Sequence, residues 1–196
     1  MGIDRSGGPA PETQKGQPLR PFTIPNLISY VRLALLPVFV AMAFAGDGRD
    51  AGAALLYFAI AWGDQLDGLA ARLTGQYSRL GALLDPLTDR ALILAGVIVC
   101  YRFELLPRWA LIVLAARELF MLVLSRYGLY KGMDLMINMI GRWAVWPVMF
   151  AIFLTLLVDS WLADASLLIG VALTLWATGI YVQEGIRFSR SPSSST

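Results

Sequence analysis

Asp64-Gln65-Leu66-Asp67-Gly68-Leu69-Ala70-Ala71-Arg72 and, after eight more residues, Gly81-Ala82-Leu83-Leu84-Asp85-Pro86-Leu87-Thr88-Asp89 set acid inside otherwise apolar sequence. On an α-helix Asp64, Asp67, Gly68 and Ala71 fall at i, i+3, i+4 and i+7, so two carboxylates and two small residues share one face. Gly81, Asp85 and Asp89, at i, i+4 and i+8, form a second stripe of the same kind. The short connection predicts antiparallel neighbouring helices. Counting from a turn near Gly75, Asp64 and Asp67 lie 11 and 8 residues back, and Asp85 and Asp89 lie 10 and 14 forward. With a rise of about 1.5 Å per residue, all four carboxylates fall in one band of depth and meet across the helix pair.

The sequence around this pair is that of a membrane protein. Of 196 residues 57% are hydrophobic and 15% charged, which excludes an ordinary soluble domain. Leu27 to Ala45 is almost wholly apolar, with Pro25 and Asn26 before it and Asn26 as the expected helix cap. Further apolar segments run over 51–72, 80–101, 107–129, 138–158 and 163–186, separated by signals such as Gly46-Asp47-Gly48, Pro107-Arg108 and Lys131-Gly132-Met133-Asp134. The fold class is therefore an all-α integral membrane protein with six transmembrane helices, a single domain over 23–188. Residues 1–22, rich in Gly and Pro, read as a disordered tail rather than a signal peptide, and 189–196 as a second polar tail.

An even number of spans puts both ends on one side. The tails and the connections after the second and fourth segments hold Arg5, Lys15, Arg20, Arg72, Arg79, Arg126, Lys131, Arg187 and Arg190, against Arg49, Arg102 and Arg108 on the other side. The positive-inside bias places both termini in the cytoplasm, and the Asp cluster below the cytoplasmic surface. The formal net charge of only +2 gives no reason to expect a nucleic-acid partner.

An ionised Asp at bilayer depth costs ~2.5–3.5 kcal/mol on insertion scales, so four unpaired ones would cost ~10–14 kcal/mol. Arg72, Arg79 and Arg90 could neutralise part of this in a purely structural ion-pair cluster, which leaves the small residues on the same faces unexplained. Bound divalent cations explain both. The chain has no His and a single Cys, Cys100, which rules out imidazole chemistry, an intrachain disulfide and a multi-Cys zinc site, so a metal must sit on oxygen. Hard carboxylate oxygens suit Mg²⁺ or Mn²⁺, whose shell is usually completed by water and substrate phosphates. Two ions sharing Asp ligands would stabilise the attacking and leaving oxygens of a phosphoryl displacement.

The pattern Asp, two residues, Asp-Gly, two residues, Ala-Arg, eight residues, Gly, three residues, Asp, three residues, Asp resembles the signature of the CDP-alcohol phosphotransferase family. All its fixed positions are present, as Asp64, Asp67, Gly68, Ala71, Arg72, Gly81, Asp85 and Asp89. The family's six-helix layout fits residues 22 to 188. The resemblance implies transfer of a phosphatidyl group from CDP-diacylglycerol to an alcohol with release of CMP, in a bacterial cytoplasmic membrane and with the site facing the cytoplasm. It implies that Asp64, Asp67, Asp85 and Asp89 bind the divalent ions, two of them, and that Asp89 is the general base for the acceptor hydroxyl. In a chain without His a carboxylate is in any case the available base. Gly68, Ala71 and Gly81 would leave room for the CDP donor, and Arg72 would contact its phosphate.

The stretches Thr23-Ile24-Pro25-Asn26-Leu27-Ile28-Ser29 with Arg32, Asp85-Pro86-Leu87-Thr88-Asp89-Arg90, and Ala116-Arg117-Glu118 look like phosphatidylglycerophosphate synthases and CDP-type cardiolipin synthases. The expected acceptor is glycerol 3-phosphate, with phosphatidylglycerol as the alternative. Glycerophosphate-using relatives tend to show Gly-Lys and a following Thr on the fifth helix, where this chain has Gly141-Arg142-Trp143. Arg keeps phosphate binding there and can grip bidentately. Arg117 and Arg142 either contact the acceptor phosphate or form structural ion pairs with Glu118 or Glu184. Arg32 reads as structural or close to the donor. Gly128, Gly132, Gly141, Gly170 and Gly179 suit close helix packing, and the resemblance implies a homodimer among membrane lipids. A Mg²⁺ carrier or channel would need polar residues beyond the cytoplasmic half, where the spans offer little besides Thr155 and Thr174.

Overall fold

The computed structural model describes residues 22–74, 79–130 and 139–190, without the side chains of 67, 72, 79, 82, 83, 125–130, 139–143 and 184–190. The described residues are helical with no strand: α1 (Ile24–Ala45), α2 (Ala51–Thr74), α3 (Arg79–Arg102), α4 (Arg108–Tyr130), α5 (Met139–Leu157) and α6 (Trp161–Arg190). These fall on the apolar segments of the sequence, most ends agreeing within a few residues. The two expected tails lie outside the described residues, except for Phe22 and the end of α6.

α1 begins earlier than the sequence suggests. Thr23, not Asn26, is the N-cap, and its side chain accepts a hydrogen bond from the Asn26 backbone N–H at 3.3 Å. The physical reason is Pro25. Its missing N–H is no loss in the first turn, so the helix starts before the proline and carries Asn26 inward, where it is fully buried. At the far end Asp47 and Gly48 take positive φ of 51° and 90°, the left-handed turn that Gly46-Asp47-Gly48 foreshadows.

α1 lies against both α2 and α3, α5 lies against α6, and α4 bridges α3 and α6. The common core includes Phe39, Tyr57, Ile60, Leu92, Leu111, Ile152 and Leu167. Gly96 and Gly170 set the closest approaches. A Cβ on Gly96 would meet Ile152 Cγ2 at 2.7 Å, and one on Gly170 would meet Val148 Cγ2 at 2.5 Å and the Val148 backbone nitrogen at 2.9 Å. Gly179, expected to serve the same purpose, has nothing within 4 Å of such a Cβ among the described residues. Gly128, Gly132 and Gly141 lie outside the described side chains.

Leu55, Leu66, Ile98, Ile112, Val123, Trp161 and Trp176 point outward and exposed. A surface so apolar belongs in lipid rather than water. Two helical stretches, Ile24–Ala45 and Trp161–Gln183, are long and apolar enough to cross a membrane as they stand.

Candidate active site and metal centre

Three helices build the site. One face of α1 carries Asn26, Ser29 and Arg32 inward, followed by Leu36, Phe39 and Ala43. The interval of three or four residues keeps this polar trio on the buried stripe of an otherwise apolar helix. Ser29 Oγ lies 3.1 Å from Asp85 Oδ1 and 3.3 Å from the Pro25 carbonyl, and its one proton serves either acceptor. Arg32, at 3% exposure, donates from Nε to the Ile60 carbonyl at 2.9 Å. Its Nη1 lies 3.5 Å from Asp64 Oδ1, and its Nη2 lies 2.8 Å from Asp89 Oδ1.

The structure thus brings Asp64 from α2 and Asp89 from α3 onto one guanidinium from α1, with Asp85 one turn before Asp89 on α3 and bonded to Ser29. Asp64 and Asp89 are each 34% exposed, so the carboxylates open outward while Arg32 closes the floor behind them. The side chains of Asp67 and Arg72 lie outside those described, and among the described residues no three carboxylates by themselves form a metal cage. Gly68 and Ala71 are half-buried along the α2 stripe, and Gly81 is buried in the first turn of α3.

The donor set fits a divalent ion. Every available ligand is a hard oxygen. Among the described side chains, the carboxylates of Asp64, Asp85 and Asp89 outnumber the one guanidinium of Arg32, a negative balance that suits a cation. A guanidinium lies between Asp64 and Asp89, with Nη1 3.5 Å from the first carboxylate and Nη2 2.8 Å from the second. Arg90, a candidate counter-ion for this cluster in the sequence, turns instead toward α4. Its Nη1 lies 3.6 Å from Glu118 Oε2 and 3.3 Å from the Glu118 carbonyl.

That contact opens a second cluster. Glu118, 2% exposed, also receives Arg117 Nη1, whose Nε donates to Thr178 Oγ1 at 2.9 Å. The Thr178 hydroxyl in turn donates to the Thr174 carbonyl at 2.8 Å. Among the described side chains, two guanidiniums on one buried carboxylate leave a positive excess where α3, α4 and α6 meet. The Arg142 and Glu184 side chains lie outside those described. Thr155 and Thr174, the residues a conducting path would have used, bond the carbonyls of Leu105 and Val171, both at 3.0 Å.

Sequence reasoning gave Ser29 and Arg32 no contact with the acids and missed Thr178. The available signal was Asn26, Ser29 and Arg32 at intervals of three within α1, whereas Thr178 carries no mark that separates it from any other helical threonine.

The profile of the family described as CDP-alcohol phosphatidyltransferase matches residues 22–176, so the chain belongs to that family. A protein of Streptomyces coelicolor named "Cardiolipin synthase (CMP-forming)" is 37% identical over 93% of this chain and 89% of its own length. A "Putative cardiolipin synthase" of Mycobacterium tuberculosis is 40% identical over 50% of this chain and 47% of its own. The "CDP-diacylglycerol--glycerol-3-phosphate 3-phosphatidyltransferase" of Bacillus subtilis is 30% identical over 69% of this chain and 77% of its own. The chain is a transferase of phospholipid synthesis, taking a phosphatidyl group from a CDP-activated lipid to an alcohol acceptor. The family is membrane-associated and generally uses a divalent metal.

Proposed function

We propose that this enzyme transfers the phosphatidyl group of CDP-diacylglycerol to phosphatidylglycerol, forming cardiolipin and CMP. The observation that carries the transferase chemistry is the meeting of Asp64 and Asp89 at Arg32, with Asp85 one turn along α3 and bonded to Ser29. The acceptor is supported by the likeness to a CMP-forming cardiolipin synthase along nearly the whole chain. Glycerol 3-phosphate, the acceptor expected from the sequence, remains the second reading on the strength of the glycerophosphate-using relative. Gly141-Arg142-Trp143 stands where glycerophosphate-using relatives tend to show Gly-Lys and a following Thr.

All six helices span the bilayer in this reading, with both termini and the site on the cytoplasmic side. The support is length and charge. α2 to α5 have 24, 24, 23 and 19 residues. At about 1.5 Å per residue they cover a hydrocarbon core of about 30 Å, and the cations cluster on the side of the tails. The assembly is a homodimer by resemblance.

Asp64, Asp67, Asp85 and Asp89 would hold Mg²⁺ or Mn²⁺, two ions if the carboxylates are shared. When bound, the ions supply charge neutralisation for the CDP pyrophosphate. Gly68, Ala71 and Gly81 give the nucleotide room, and Arg72 reaches its phosphate. Asp89 takes the proton from the acceptor hydroxyl. That oxygen bonds to the phosphatidyl phosphorus as the bond from phosphorus to the CMP oxygen breaks, and CMP leaves with the electron pair. The positive excess at Arg90, Glu118 and Arg117 lies one residue along α3 from Asp89 and draws the acceptor's phosphodiester toward the base, with Arg142 from α5 as a further contact.

The test is purified protein in detergent, given labelled CDP-diacylglycerol with either phosphatidylglycerol or glycerol 3-phosphate. Mass spectrometry should find cardiolipin, CMP should appear in equal amount, and EDTA should stop both. Phosphatidylglycerophosphate as the main product would replace the acceptor assignment. Metal uptake into vesicles without CMP release would overturn the enzyme reading in favour of a carrier.

A further inference from the structure

Arg32 is unusual in what restrains it. A long guanidinium side chain ordinarily keeps many rotamers, but here three independent features remove them. Nε is tied to the Ile60 carbonyl at 2.9 Å, one helical turn before Asp64 on α2. The aliphatic stem passes over Gly63, where a Cβ would stand 2.8 Å from Arg32 Cδ, 3.0 Å from Cγ and 3.2 Å from Nε. The two terminal nitrogens then reach Asp64 on α2 and Asp89 on α3. The fork is fixed at its root by α2 before it meets either acid.

Gly63 lies outside the spaced signature of acids and small residues. Its lack of a side chain is matched to Arg32: the three atoms nearest to where a Cβ would stand all belong to that side chain. The collision falls on the middle of the side chain and on the nitrogen that bonds Ile60. Relief by swinging the tip is therefore closed.

We propose that Arg32 is the positioning residue of the acidic site: seated in the groove over Gly63, it aims the Asp89 carboxylate and holds one positive charge between Asp64 and Asp89. The inference rests on the metal-centre reading above. It has two consequences of opposite sign. A guanidinium on the Asp64 and Asp89 oxygens opposes an incoming dication, so it weakens the binding of metal alone. It also orients the base, and small misplacement of a reacting group is costly to turnover. A residue that only held α1 to α2 and α3 would, when removed, lower metal binding, turnover and thermal stability together.

The experiment uses the full chain in nanodiscs with Arg32→Gln, Arg32→Lys and Gly63→Ala. Binding of Mn²⁺ alone is followed by electron paramagnetic resonance, beside kcat, KM for CDP-diacylglycerol and melting temperature. Arg32→Gln should bind Mn²⁺ about tenfold more tightly, because a repelling charge is gone, while kcat at saturating metal falls about 100-fold. Arg32→Lys keeps the charge and loses the fork, so Mn²⁺ affinity stays at the wild-type value and kcat falls. Gly63→Ala, which displaces the fork without touching any charge, should reproduce the Lys pattern. The proposal is overturned if Arg32→Gln leaves kcat within about threefold, or if Mn²⁺ affinity and kcat fall in step with melting temperature in all three variants. Wild-type protein that binds no Mn²⁺ and resists EDTA would remove the metal reading itself. Wild-type binding with unchanged Arg32→Gln affinity removes only the role given to Arg32.

Discussion

Glu118→Gln tests how α3 is held, because the substitution keeps the shape of the side chain and removes its charge. Glu118 is 2% exposed and receives Arg117 and Arg90, whose side chains are 8% and 20% exposed. At an effective dielectric near 20, two unit charges about 4 Å apart attract by about 4 kcal/mol. Arg90 is the more exposed partner and its contact is the longer, at 3.6 Å, so its share is discounted for solvent. Removing one partner of a buried pair costs about 3–5 kcal/mol, because the remaining charges stay buried without it. At about 2–4 °C per kcal/mol for a chain of this size, the melting temperature should fall by roughly 6–20 °C. Activity should fall as well. Arg90 follows Asp89 directly, and successive residues turn by about 100° around a helix. α3 is therefore gripped on one side by Glu118 through Arg90 and on another by Arg32 through Asp89. Releasing the first grip lets the helix rotate and misdirects the second. Thermal melting in nanodiscs and CMP release measure the two effects, and Arg117→Gln combined with Glu118→Gln should cost less than the sum of the single changes. A Glu118→Gln protein that melts within about 2 °C of wild type, with normal turnover, would refute the clamp.

Asp89→Asn should lower kcat by orders of magnitude with little change in KM for CDP-diacylglycerol, whereas Asp64→Asn should weaken metal and donor binding together; steady-state kinetics over a range of Mg²⁺ separates the two, and equal mild effects would count against the assigned roles. Gly170→Ala should destabilise by about 1–3 kcal/mol, because the new methyl would stand 2.5 Å from Val148 Cγ2 and 2.9 Å from its backbone nitrogen. Gly179→Ala, with nothing within 4 Å, should be neutral or gain up to about 1 kcal/mol from helix propensity, and thermal melts of the pair check the contrast.

Much of the architecture is legible in residue order. The apolar segments, the turn at Gly46-Asp47-Gly48 and the intervals among Asp64, Asp85 and Asp89 are local patterns, and a helix of 3.6 residues per turn converts them directly into faces. The absence of His and the lone Cys likewise confine a metal to oxygen ligands without reference to any coordinates. Local rules were less sure where two of them competed. Asn26 is a good cap by residue type, but Pro25 before it lets the helix begin a turn sooner, with Thr23 as the cap and Asn26 in the interior.

Tertiary structure alone decided which face meets which. Arg32 and Asp89 are 57 residues apart, and no periodicity within α1 or α3 says that their helices adjoin at those turns. The same holds for Arg117 and Thr178, 61 residues apart, and for Arg90, which pairs with Glu118 although the acids of its own helix are nearer in sequence. Gly170 and Gly179 are alike as letters, yet one touches α5 and the other touches nothing among the described residues. Periodicity along a chain fixes direction around one helix axis. The partner found in that direction depends on how helices distant in sequence pack, and that is settled only when all of them bury their faces together.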